Sequence, residues 1–374
     1  MKVICTQENL NHGLNVVSQI AYKNTTLPIL NNVLIESKNG VISLSTTNLE
    51  IAIQCIVRGK VEEDDSVTVN AKLLSEYVNL LPRDKINMET KENVLQVQCQ
   101  NFATKINGHA ADDFPLIPKI EKTNVLSCNA RDFKRALQQV IFAASSDDHR
   151  PEIHGVLFKF QQNTLTLVAT DSFRLAEKKV TLDQTVEQDM SIIIPVYTVQ
   201  QLLRIVSDVD KDTSSEHPIV EFDIADSQIA IQYDNVHVIS RLVSGQYPDY
   251  EQMIPKEFKT TFTLNKSELL QVIKNVSLFC RLGINDIHLT FNPETNDISI
   301  RADNSELGEN VGKIIGEGSG DVNELVFNYK YMLEGLNTIA DDRIQLQVID
   351  SMNPGLITSA GDSAYRYIVM PIRN

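Results

Sequence analysis

The 374-residue sequence has no tryptophan, only five cysteines and no apolar run near the roughly 18 residues a membrane helix needs. Each shortage excludes something. The opening MKVICTQENL lacks the apolar core of a secretory signal, so the expectation is a cytosolic protein, neither exported by a signal peptide nor membrane-spanning. Cys5, Cys55, Cys99, Cys128 and Cys280 stand far apart, with no CxxC and no paired histidines. They read as reduced core or surface thiols rather than as a metal site.

Catalytic signatures are missing too. There is no GxxxxGK[ST], so no phosphate-cradling loop is expected. GEGSG (Gly316 to Gly320) is flanked by acidic residues with no helix directly after it, and reads as a flexible hairpin connection. There is no GxSxG elbow, since AGDSA (Ala360 to Ala364) has aspartate where the nucleophile belongs. The seven histidines form no HExxH, and His149 and His154 stand at a strand-like spacing. No cofactor is implied. Basic charge is also short, with 34 Lys and Arg against 49 Asp and Glu and a net charge of −15. That argues against a nucleic-acid partner unless the charge is unevenly distributed.

What the chain does have is a repeat. LPILNNVLIESKNGVISLSTTN (Leu27 to Asn48) returns without a gap, 123 residues on, as RPEIHGVLFKFQQNTLTLVATD (Arg150 to Asp171). A weaker third copy ends in NDISIRADN (Asn296 to Asn304). A period this long means duplicated domains rather than a solenoid. Three domains of roughly 120 residues fit the length, bounded at 1–122, 123–255 and 256–374 by the Pro-bearing linkers Phe114 to Asn124 and Tyr247 to Lys259.

Each repeat opens with an amphipathic helix, at about 6–21, 129–144 and 265–281, and carries a second at about 70–83, 195–207 and 327–340. Asn265 and Glu268 suit an N-cap and its third residue, and Pro195 suits a first helical position. Alternating strands such as VISLST, TLTLVAT and DISIRA follow turn signals. The class is α+β. Those six segments hold ten basic and five acidic residues, an excess of five, which leaves −20 on the rest of a chain of net −15. A basic helical layer on an acidic strand-and-loop body suits a polyanion if the helices share a face; enrichment of any surface helix in Lys and Arg is the plainer explanation.

ATDSFRLA (Ala169 to Ala176) groups Asp171, Ser172 and Arg174 and could look catalytic. The three copies instead share an Asx residue (Asn48, Asp171, Asn304) at a corner, where such side chains bond their own backbone. Phe173, Arg174 and Leu175 follow it in the second copy alone.

Three tandem units, HRPEIHGVLF, VATDSFRLA, SGQYPDY and a terminal YIVMPIRN together resemble the bacterial sliding clamp, the β subunit of the replicative DNA polymerase, along the whole chain. The resemblance implies three clamp-fold domains, each with two helices on antiparallel sheets, and a crescent that closes head to tail into a homodimeric ring. Duplex DNA would thread the ring without sequence preference. Replicative polymerase, a separate ATP-driven clamp loader and repair proteins would dock by short peptides. It implies a peptide cleft lined by Ile153, Thr170, Ser172, Phe173, Arg174, Leu175, Pro248, Met253, Ile368, Met370, Pro371, Ile372 and Arg373. The DNA side would hold Lys23, Asn24, His149, Arg150, Arg204 and Arg281, and the dimer seam Ile106 against Leu278 and Phe279. The corner reads Ser172-Phe173 where the family often has Gly-His, and the chain ends on Asn374 where Leu is usual. Two other readings stand beside this one: a nuclease or hydrolase using Asp171, His149 or Asp362, and a repeat protein that never touches DNA.

Overall fold

The computed structural model describes residues 1–21, 26–118, 125–210 and 217–373. Lys23, Asn24 and Asn374 lie outside them. Six helices occur among the described residues: α1 (Gln7–Val17), α2 (Ala71–Leu80), α3 (Ala130–Val140), α4 (Val196–Ile205), α5 (Lys266–Ser277) and α6 (Tyr329–Thr338). They fall where the periodicity puts them, two per repeat. The side chains of Thr6, Asn70, Asn265 and Asn328 accept the first free amides of α1, α2, α5 and α6. Leu10, Leu14 and Val17 of α1 are fully buried, as are Leu269 and Ile273 of α5. Each such aliphatic side chain contributes about 1.5–3 kcal/mol.

Every helix stops two to four residues short of its expected end. The last turns after α1 and α3 tighten into 3-10 form, at Ser18–Ile20 and Ile141–Ala143. Leu81, which precedes Pro82, is extended and closes α2. Pro195 is not a helical residue. It ends the edge strand Met190–Pro195 opposite Gly155, where its missing N–H costs nothing. Nor is GEGSG a connection. Glu317–Gly320 is an edge strand paired with Thr260–Asn265. Its glycines permit a close approach, since a Cβ on Gly318 would lie 2.4 Å from the Phe262 ring.

The chain divides into two compact units, and the division runs through the second repeat. The first unit comprises residues 1–131 and 204–242. Its five-stranded sheet runs Gly59–Glu63, Lys2–Thr6, Lys85–Lys91, Val94–Cys99, Phe102–Asn107. Its eight-stranded sheet runs Leu126–Asn129, Ile219–Ile224, Gln228–Tyr233, Val236–Arg241, Ile51–Val57, Val41–Thr47, Asn32–Lys38, Asp65–Asn70. The first two repeats are thus joined by β-pairing, Ile51–Val57 against Val236–Arg241. The first repeat copy forms a hairpin whose two turn residues, Asn39 and Gly40, have φ of 51° and 80°, the turn hand that matches strand twist.

The second unit comprises residues 132–203 and 243–374. Its nine-stranded sheet includes, in order, Met190–Pro195, Gly155–Gln161, Thr164–Thr170, Arg174–Thr181, Tyr365–Val369, Gly355–Ser359 and Arg343–Val348. Here Arg174–Thr181 against Tyr365–Val369 joins the second and third repeats. A four-stranded sheet runs Gly308–Ile315, Asp297–Asn304, Asp286–Asn292, Asn323–Asn328. All five cysteines are buried, and none of them forms a disulfide. Burial pushes the thiols of Cys5 and Cys55 up to about 12.

Candidate functional site

The three Asx corners are built alike. Asn48 Oδ1 accepts the amides of Glu50 and Ile51 at 3.0 and 2.9 Å. Asp171 Oδ1 accepts those of Phe173 and Arg174 at 2.9 and 3.0 Å, and Asn304 Oδ1 those of Glu306 and Leu307 at 2.9 and 3.3 Å. Ser172 sits at φ 77°, the left-handed region that glycine enters at least cost. Thr170 Oγ1 donates to the Arg174 carbonyl at 2.6 Å and closes the corner from inside.

Only the second corner carries an arginine, and that arginine is almost wholly committed. Arg174 Nε donates to Asp171 Oδ2 at 3.0 Å, Nη1 to Glu334 and Nη2 to the Phe142 carbonyl at 2.8 Å. Its guanidinium lies 4.5 Å from the Tyr331 ring centre and 5.4 Å from that of Phe142, within cation–π range. Burial lowers its pKa, but the bond to Glu334 and the nearby negative charges outweigh that and leave it raised. The result is a rigid cationic plate joining the corner to α6.

The thirteen residues expected to line a cleft all belong to the second unit, and they separate into two groups. Ile153, Thr170, Leu175, Ile368 and Pro371 are buried. Leu175 and Ile368 face each other across a strand pair and pack with Leu157, Val168, Ile193, Tyr250 and Leu356. These five therefore form a buried floor: Thr170, Leu175 and Ile368 lie in strands, and Ile153 and Pro371 lie outside them. Phe173 is 61% exposed, Ser172 and Arg373 are exposed, and Arg174, Pro248, Met253, Met370 and Ile372 are half-buried. The terminal segment is zipped onto the corner by the Met370 amide, which donates to the Phe173 carbonyl at 2.8 Å. The Ile372 amide donates to Val326 at 2.7 Å. Pro248 accepts from the Tyr250 amide at 2.8 Å, and Tyr247 Oη donates to the Val168 carbonyl at 3.3 Å. The linker is thus laid on the same apolar cluster as Leu175 and Ile368. A cavity of about 1100 Å³ continues along that face. It begins at Glu177 and Arg366, two residues along from Leu175 and Ile368 on their strands.

The residues expected to face DNA are mostly occupied within the chain. Arg204 donates to the carbonyls of Asn15 and Val16 at 3.0 and 2.6 Å and so caps the C-terminal end of α1. Lys266, counted among the helical cations, does the same for Ile339 at the end of α6, at 2.6 Å. Arg150 Nη1 bonds Ser172 Oγ at 3.1 Å, which places it at the corner. His149 is exposed on a turn, its amide bonded to Asp147 Oδ1. Asp147, Asp148 and His149 bring ligand atoms within 4.8 Å of one another, and all three are exposed. By contrast Arg135, Lys274 and Lys330 stand exposed on α3, α5 and α6. All three are among the ten basic residues of the six helical segments.

Arg281 pairs with the buried Asp286 through Nε, at 3.0 Å, and Nη2. Burial alone would raise the Asp286 carboxyl, but Arg281 outweighs it and holds the pKa below its ordinary value. A carboxylate lowered on folding adds stability that is complete above the unfolded value of about 3.9 and is lost as pH falls through the folded pKa. Asp286→Asn should therefore cost about 1 kcal/mol at pH 7, a figure kept small by screening at the half-exposed Arg281. The gap from the unmodified protein should close as pH drops below about 4. Urea unfolding across that range checks it.

Ile106, expected at a dimer seam, is only 5% exposed because it points into the first unit's own core. Leu278 is 71% exposed and Phe279 half-buried. No local pattern of residues marks the sheet edges themselves. Phe102–Asn107 ends the five-stranded sheet and Gly308–Ile315 ends the four-stranded one, with Leu307, Val311 and Ile315 exposed. An unpaired apolar edge is a template for another strand. As for catalysis, Asp171 is spent on its corner and on Arg174, and Asp362 is bonded to Lys178.

Three family profiles match the chain in succession: DNA polymerase III beta subunit, N-terminal domain, over residues 1–118; central domain, 127–249; and C-terminal domain, 251–373. The beta sliding clamp of Synechococcus elongatus is 28% identical over 377 residues, covering 100% of this chain and 99% of that protein. That of Bacillus subtilis is 28% identical over 383 residues, covering 100% of both. The crystal structure of the Bacillus subtilis DNA polymerase sliding clamp superposes with a TM-score of 0.93, covering 100% of this chain and 99% of that one. No helix among the described residues is long and apolar enough to cross a membrane.

Proposed function

Because the chain belongs to the DNA polymerase III beta-subunit family, the beta sliding clamps, we propose that two copies close head to tail into a ring around duplex DNA. The chain acts in DNA replication as a processivity factor and is not an enzyme. The observation that carries this reading is the ordered match of all three domains over nearly the whole length. The domains are taken as 1–122, 123–255 and 256–374, working in the cytoplasm, where buried cysteines stay reduced.

Sliding requires contacts with phosphate that are weak and blind to sequence. Arg135, Lys274 and Lys330 suit that role better than Arg204 or Arg281, which already have partners. The seam joins the edge Phe102–Asn107 of one copy to the edge Gly308–Ile315 of the other, with Leu278 beside it, which covers apolar edges that would otherwise invite aggregation. Partners dock short peptides on Phe173, Pro248, Met253, Met370 and Ile372, with Arg174 and Arg373 for an acidic or amide group. Those partners are the replicative polymerase, the clamp loader and repair proteins. The sequence holds no phosphate loop, so ring opening falls to the loader.

Sedimentation equilibrium tests the ring. The expected species has twice the 42.0 kDa chain mass from micromolar downward. A monomer throughout would leave no closed ring.

A further inference from the structure

The first unit holds a second linker-covered groove. Phe114 to Pro118 lie over the outer face of the eight-stranded sheet and leave a cavity of about 500 Å³, within the roughly 300–1,000 Å³ range of small-ligand sites. Two rows of the sheet form its floor. One runs Glu221, Gln232, His237, Gln54, and the next Asp223, Ala230, Ile239. Leu116, at the rim, is 98% exposed.

Asp223 is the anomaly. It lines this cavity, is 5% exposed, and neither carboxylate oxygen has a hydrogen-bond partner among the described residues. Leaving a buried carboxylate uncompensated costs free energy, and such a group calls for a cause. Glu36 also lines the cavity, while no lysine or arginine does among the described residues. The occupant that complements this lining is a cation with apolar neighbours.

The repeat relation says what form that cation takes. Ala52 stands at the position of Leu175, 123 residues earlier, and Phe114-Pro115 at that of Tyr247-Pro248. The cross-strand row Ala52, Ile239, Ala230, Asp223 is the counterpart of Leu175, Ile368, Leu356, Gln347. Leu356 fills the second unit's floor where Ala230 leaves this cavity open in the first, and an aspartate replaces a glutamine; Ala52 opens an adjoining hollow under the same linker, beside Arg241. We propose that this groove docks a short extended peptide with a lysine or arginine between apolar side chains. The cation bonds Asp223, and the apolar groups pack on Ala230, Ile239 and Phe114. Docking turns the carboxylate from the wall toward the cavity it lines. The choice of a peptide rests on the peptide reading of the second-unit surface; the groove and its charge do not.

The test uses the full-length protein with isotope-labelled isoleucine δ1 methyls, so that Ile239 reports this groove and Ile368 the other surface. The probes are acetyl-Leu-Arg-Leu-amide and acetyl-Leu-Gln-Leu-amide. The arginine peptide should shift Ile239 and bind about tenfold tighter than the glutamine peptide, the effect of one charge-assisted bond. Asp223→Asn should erase that preference without changing the response of Ile368. Equal binding of the two peptides, no shift at Ile239, or a shift at Ile368 alone overturns the proposal and leaves the second-unit reading untouched. Without peptide, Asp223→Asn should raise Tm, because it removes an uncompensated buried charge. A lowered Tm would mean that the carboxylate has a partner within the chain, and that also overturns it. Should the variant fail to fold, the two peptides on the unmodified protein still decide.

Discussion

A chain that stops at Val369 is expected to keep its fold and lose polymerase tethering. The strand Tyr365–Val369 stays, with its pairing to Arg174–Thr181 on one side and Gly355–Ser359 on the other. What goes is the extension beyond it: the amides of Met370 and Ile372 that bond Phe173 and Val326, the buried Pro371, and the side chains of Met370, Ile372 and Arg373. Two net hydrogen bonds and a little apolar area amount to about 2–3 kcal/mol, which a chain of this size tolerates. The docking surface, however, loses its half-buried methionine and isoleucine and one of its two arginines. Primer extension on a long template should fall to the length reached without any clamp, while the sedimentation mass stays unchanged. Full processivity from the truncated chain would show that partners dock elsewhere.

Arg174→Ala carries the second large effect. The arginine is nearly buried and holds Asp171, Glu334 and the Phe142 carbonyl together under two aromatic rings. Its removal leaves Asp171 and that carbonyl without their cation. Breaking a buried pair from one side costs about 3–5 kcal/mol, and the lower end applies because Glu334 is half-exposed. Arg174→Lys keeps the charge but cannot reach three acceptors with one ammonium, so it should recover less than half of the loss. Urea midpoints of the three proteins settle the order. An alanine variant as stable as the parent would mean that these contacts have no net worth.

The helices were legible because two local signals agree, the apolar period and an Asn or Thr cap, as at Asn265 with Ile273. The Asx corners were legible for the same reason: Asp171 bonds amides only two and three residues on. What escaped depends on distant partners. Arg204 looks like a free surface cation until α1, 188 residues away, presents its carbonyls. Arg174 meets Glu334 across 160 residues of chain. Ile106 and Leu278 are both apolar in the sequence, yet one is core and the other surface, a difference set by which side of a sheet or helix faces inward. Asp223 shares its sheet face with Glu221, which is partly exposed, yet it is 5% exposed and lines a cavity that linker residues 114–118 also line. Glycines mislead in the same way, because GEGSG signals a loop locally and becomes a strand only beside Phe262.

The chain is expected to hold DNA by enclosing it. The most direct measurement loads the protein onto a nicked circular duplex with a clamp loader and then raises the salt before gel filtration. Affinity through phosphate contacts falls steeply with salt, whereas a closed ring does not depend on it. The expected result is protein that stays with the circle at high salt and leaves when one restriction cut makes the DNA linear. Equal loss from circular and linear DNA would mean that the protein does not enclose the duplex.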